Sequence, residues 1–117
     1  MELFFELKKL GVNIEEGMER LCGNEALYRK LLGTFVKSID KYPVSIEEGE
    51  ADYKEATDNA HAIKGMAGNL SLTPIFEAYS RIVDLLRAGD PGTAKAVLED
   101  ILPVQEKILS CIEKNMQ

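Results

Sequence analysis

Tryptophan is absent from this 117-residue chain, histidine occurs once and cysteine twice. One histidine and two isolated thiols, Cys22 and Cys111, cannot build a zinc or disulfide framework, which needs paired ligands at short spacing. No metal site is expected on the chain, and both cysteines are expected to be reduced and buried as small core residues. Positive charge is scarce as well: 14 basic side chains stand against 20 acidic ones, for a net charge of −6, and no Lys/Arg cluster is visible. A phosphate backbone or an anionic membrane surface is therefore a poor partner. No apolar run approaches the roughly 18 residues of a membrane span, and the stretch from Met1 carries acids where a secretory leader needs positive charge. The expectation is a soluble, cytoplasmic protein that binds neither nucleic acid nor membrane. A Gly-rich phosphate loop and a P-loop lysine are also missing, so no ATP site is expected.

What the chain does have is helical periodicity over most of its length. With 45% hydrophobic residues it can bury one real core, and residues 1–117 read as a single domain. Asn13 with Glu16 makes a capping-box start for a short helix ending before Gly23, and Asn24 caps the next, whose stripe is Leu27, Leu31, Leu32, Phe35 and Ile39. Pro43 interrupts that helix, and residues 44–49 are expected to add a turn or two of helix around Ile46. Asp52 with Glu55 starts a helix that runs through His61 to about Leu70. Thr73 and Pro74 read as N-cap and first position of another, with the stripe Ile75, Tyr79, Ile82, Val83 and Leu86, closed by Gly89. Asp90 and Pro91 repeat the signal for a last helix, where Ala94, Val97, Leu98, Ile101, Val104, Ile108 and Ile112 keep the period past Pro103. The predicted fold is all-α: an antiparallel up-down four-helix bundle with one or two short additional N-terminal helices. In the first of these, Leu3, Phe4, Phe5 and Leu7 are expected to cover the end of the core.

His61 is the natural candidate for chemistry. At about 100° per residue, Lys64, Gly65 and Gly68 share its helix face, at offsets of three, four and seven. Ala56, Ala60, Ile63, Met66, Ala67 and Leu70 take the opposite face, which turns His61 outward. Each helical glycine costs about 1 kcal/mol relative to alanine, so two beside one histidine point to close approach by something large. On this reading, replacing Gly68 by Gln leaves the bundle folded, if anything a little more stable, and obstructs that approach. Asp58, one turn before His61, is either a partner for the ring or an ordinary exposed acid.

The run His61-Ala62-Ile63-Lys64-Gly65 with Ala67-Gly68-Asn69-Leu70 resembles the signature of histidine phosphotransfer (HPt) domains. Upstream, Gly11-Val12-Asn13, Glu15-Glu16-Gly17 and Asn24-Glu25-Ala26-Leu27-Tyr28 are similar to the start of such domains; downstream, Leu85-Leu86-Arg87-Ala88-Gly89-Asp90 is similar to their last hairpin. The resemblance covers about residues 13–113. It implies a phosphorelay intermediate with His61 as phosphoacceptor, Lys64 as electrostatic support for the phosphoryl oxygens, and Gly65 and Gly68 as clearance for docking. The implied partner is a response-regulator receiver domain carrying the phosphorylated aspartate and Mg²⁺, with a hybrid sensor histidine kinase in cis or trans as a further one. The chain itself would then be a monomeric carrier with no cofactor. Ser71 departs from the pattern, standing where these domains often have glycine, and residues 43–52 form a shorter segment than many of them show.

Other readings lack parts. A kinase dimerisation helix typically has an acid after its histidine, where this chain has Ala62. A metal-dependent hydrolase would need further ligands. A chemotaxis-kinase phosphoacceptor domain shares the motif, and an HPt-like bundle that docks on a receiver or kinase without carrying phosphate remains the alternative from another functional class.

Overall fold

Asparagine and aspartate side chains start three of the helices. The computed structural model describes residues 2–116. It contains α1 (Glu2–Lys9), α2 (Ile14–Arg20), α3 (Glu25–Ser38) followed by a 3₁₀ turn (Ile39–Lys41), α4 (Lys54–Asn69), α5 (Thr73–Arg87) and α6 (Pro91–Lys114), with no strand among the described residues. Asn13 Oδ1 accepts from Glu16 N at 3.1 Å, Asn24 Oδ1 from Leu27 N at 3.0 Å, and Asp90 Oδ1 from Thr93 N at 3.1 Å, each satisfying a free amide of a first turn. Two starts differ from the sequence reading. Asp52 does accept from Lys54 N, at 3.1 Å, but Tyr53 is the capping residue of α4. Thr73 is already helical, with Leu72 as the N-cap of α5 and Pro74 one position further in.

Four helices end in the same way. After α1, α2, α4 and α5, the second residue past the helix turns left-handed: Gly11, Cys22, Ser71 and Gly89. In each case the next amide reaches back to close the helix end, as Leu72 N does to Ala67 O at 2.9 Å and Gly23 N to Met18 O at 2.9 Å. This geometry overturns the expected burial of Cys22, which as the turn residue between α2 and α3 projects into solvent. Cys111 is buried, its Sγ donating to Glu6 Oε2 at 3.2 Å, and burial pushes the thiol up to about 11.

The apolar stripes meet along the length of the molecule. α4 packs on α5, α5 on α6, and α6 also receives α1 and α3. Ala56, Ala60, Ile63, Ala67 and Leu70 of the α4 segment are buried, with Met66 half-buried; all five stripe residues of α5 are buried. In α6 the stripe continues through Pro103, which lies on the exposed side, and the helix runs unbroken for 24 residues, about 36 Å at 1.5 Å per residue. Gln105 is buried there and accepts from the Tyr79 hydroxyl at 2.7 Å. The stripe of α3 is rotated from the expected one: Tyr28, Leu32 and Phe35 are buried while Leu27 is exposed. Tyr28 enters the core because its hydroxyl finds a partner there, donating to Leu70 O at 2.6 Å.

Residues 44–49 form no helix, contrary to expectation. One apolar residue supplies no stripe, so Ile46 is buried as a single anchor while Glu50 Oε2 takes the Glu47 amide at 2.7 Å and Glu47 O takes the Tyr53 hydroxyl at 2.8 Å. In α1, Leu3, Phe4 and Leu7 cover the core, but Phe5 stays 60% exposed under the Lys9 ammonium. Among the described residues no helix is long and apolar enough to cross a membrane.

Candidate functional site

His61 stands exposed on α4, opposite the buried Ile63 and Ala67 side of the helix. Together with Lys64, Gly65 and Gly68 it lines a cleft of about 550 Å³. The structure thus brings the four sequence candidates to one surface. Lys64 is half-buried and forms no ion pair among the described residues, which leaves its ammonium available to an anion in the cleft. Asp58 is turned away from a role at the ring: it pairs with Lys54, one turn earlier, at 2.7 Å.

The two glycines differ. A Cβ added at Gly65 would meet nothing within 4 Å, so bare backbone there faces open space. A Cβ at Gly68 would lie 2.9 Å from Phe76 Cδ1 and 3.0 Å from Phe76 Cε1. The notch at Gly68 is therefore filled by an aromatic ring from α5, and of the expectation for Gly68→Gln the small gain in stability is corrected: any side chain at 68 must displace Phe76, a ring 36% exposed.

The opposite wall was not legible in the sequence. It comes from the start and body of α2, where Asn13, Glu16 and Arg20 face the cleft, and from Ser71 in the turn after α4. Arg20 Nη1 donates to Gly68 O at 2.9 Å and to Ser71 Oγ; Arg20 Nη2 donates to Glu16 Oε1 at 3.2 Å. Ser71 Oγ in turn donates to Glu16 Oε1 at 2.7 Å. The Ser71 hydroxyl, helped by the Arg20 charge, holds the Glu16 carboxyl below the ordinary carboxylate range. The one hint in the sequence is Ser71 itself, a serine where the resembled domains often have glycine; it adopts φ +55° while only 3% exposed.

Chemically, the cleft offers an accessible imidazole, an ammonium one turn away that is unpaired among the described residues, and a patch of backbone that a second macromolecule can approach. No group of three or more His, Cys, Asp or Glu that could hold a metal occurs among the described residues. No curated protein and no solved structure gives a significant match to the chain. The family model for the Hpt domain matches residues 13–113, so the chain belongs to the Hpt domain family, the histidine phosphotransfer carriers of two-component phosphorelay signalling.

Proposed function

We propose that His61 accepts a phosphoryl group from an aspartyl phosphate of a response-regulator receiver domain and returns it to such an aspartate. In the forward step the neutral imidazole Nε2 attacks phosphorus, an N–P bond forms, and the acyl P–O bond breaks to regenerate the aspartate carboxylate. The reverse step exchanges the same two bonds. Charge in the loose transition state spreads over the equatorial oxygens, so placement and cationic stabilisation carry the catalysis. Lys64 supplies the cation from this chain; the Mg²⁺ that holds the aspartyl side belongs to the receiver. Gly65 provides clearance, and Phe76 on Gly68 forms the adjoining wall. The four long helices α3 to α6 read as an up-down bundle in which residues 1–117 act as one domain, a cytoplasmic monomer without an ATP site. A hybrid sensor kinase is the further partner.

The observation that carries this reading is the exposed His61 sharing one cleft with unpaired Lys64 in a chain that matches the Hpt domain over residues 13–113. The test is incubation with a phosphorylated receiver domain and Mg²⁺. An acid-labile, alkali-stable phosphate should appear on the wild type and be lost in His61→Gln, a complete control because there is one histidine. Equal label on the variant, or none on the wild type across a panel of competent receivers, would discard the relay and leave a docking bundle.

A further inference from the structure

α2 has seven residues, and an isolated helix of that length does not hold itself together in water. Its place beside α4 depends on what it touches. At its inner side Ile14 and Gly17 are buried, Gly17 so tightly that a Cβ there would lie 2.6 Å from the Tyr28 hydroxyl. At the cleft side the attachment is polar. Arg20 reaches 48 residues along the chain to Gly68 O and 51 to Ser71 Oγ, while Glu16 closes the ring by accepting from both Arg20 and Ser71.

Ser71 shows that this ring has a function beyond ending α4. A left-handed backbone costs a non-glycine residue about 1 kcal/mol or more, and glycine would end the helix without that cost. What serine adds is a buried hydroxyl that accepts from Arg20 and donates to Glu16. The link ties α2 to the last turn of the helix that carries His61, and the residues it ties are themselves the wall of the cleft.

The geometry points to Arg20 as a positioning residue for phosphotransfer: through Ser71 and Gly68 it fixes α2 as a rigid wall against which a receiver domain seats. This rests on the phosphotransfer reading above. Arg20 acts by geometry rather than by charge, because its guanidinium is already engaged by Glu16, the Ser71 hydroxyl and a helix-end carbonyl. A wall fixed in advance lowers the ordering cost of association, so its loss weakens docking without changing the bond-making step.

Four proteins test this: wild type, Ser71→Gly, Arg20→Lys and Arg20→Gln, each assayed for transfer over a range of phosphorylated receiver, for calorimetric binding of the unphosphorylated receiver, and for melting temperature. Loss of charged hydrogen bonds of this kind should raise the half-saturating receiver concentration about tenfold in all three variants, with the maximal rate within about twofold. Arg20→Lys, which keeps the charge and loses the fork, should not rescue. Ser71→Gly is the decisive variant, since relief of the backbone offsets the lost bonds and the melting temperature should hold while docking weakens. Unchanged half-saturation in Ser71→Gly, full rescue by lysine, or an effect on the maximal rate alone would overturn the proposal. If the wild type takes no phosphate, the phosphotransfer reading fails by itself and the calorimetric arm still decides the latch: equal affinity of all four proteins, or no binding by any, counts against it.

Discussion

At the scale of single residues, two glycines one turn apart have different physical reasons. Gly65 has open space around the position of a Cβ, whereas Gly68 is covered by the Phe76 ring. Gly65→Ala should therefore stabilise the fold by about 0.5–1 kcal/mol through helix propensity alone. Gly68→Ala should gain none of this, because the new methyl must push Phe76 aside, and in a Phe76→Ala background the same substitution should recover part of the difference. Urea unfolding of Gly65→Ala, Gly68→Ala, Phe76→Ala and the Gly68→Ala/Phe76→Ala pair measures the contrast; equal effects at the two glycines would mean that the ring yields freely. The sequence shows both glycines on the face of His61, yet cannot tell them apart, since the ring that separates the cases comes from eight residues further on in another helix.

At the scale of helices, α5 and α6 are joined by a buried polar pair that no apolar pattern reveals. Tyr79 donates to Gln105 Oε1 at 2.7 Å, and both side chains are nearly excluded from water. Tyr79→Phe leaves the amide oxygen unsatisfied and should cost about 1–3 kcal/mol in denaturant unfolding. Tyr79→Phe with Gln105→Met removes the orphan as well as the bond and should return most of that loss. Gln105 takes the buried place that the sequence pattern gives to Val104, which is half-buried, and its burial depends on a hydroxyl contributed 26 residues away. α3 carries the same lesson: Tyr28 replaces Leu27 in the core because its hydroxyl meets Leu70 O.

At the scale of the whole molecule, two buried phenols set an alkaline limit. Burial pushes Tyr28 up to about 12, against the weaker pull of Arg20, and pushes Tyr79 up to about 12, against its bond to Gln105. A pKa raised on folding means that the stabilisation is fully present below the unfolded value of 10 and is lost as pH rises through about 12. The melting temperature should fall over that window, and the phenolate absorbance of these two tyrosines should rise together with loss of helical circular dichroism. Ionisation of both well below unfolding would show that water reaches them in the folded state.

The sequence by itself determined the helices, three of their side-chain caps, the buried stripes of α4, α5 and α6, and the outward turn of His61 with Lys64 beside it. These follow from a period of 3.6 residues and from caps within three residues of the amides they serve, all of it local. Only the tertiary structure decided that Phe76 fills the notch at Gly68, that Cys22 is exposed, that residues 44–49 stay irregular, and that Arg20, Ser71 and Glu16 build the second wall of the cleft. Those outcomes depend on groups brought together from distant parts of the chain, and periodicity carries no information about which side chain arrives from the neighbouring helix.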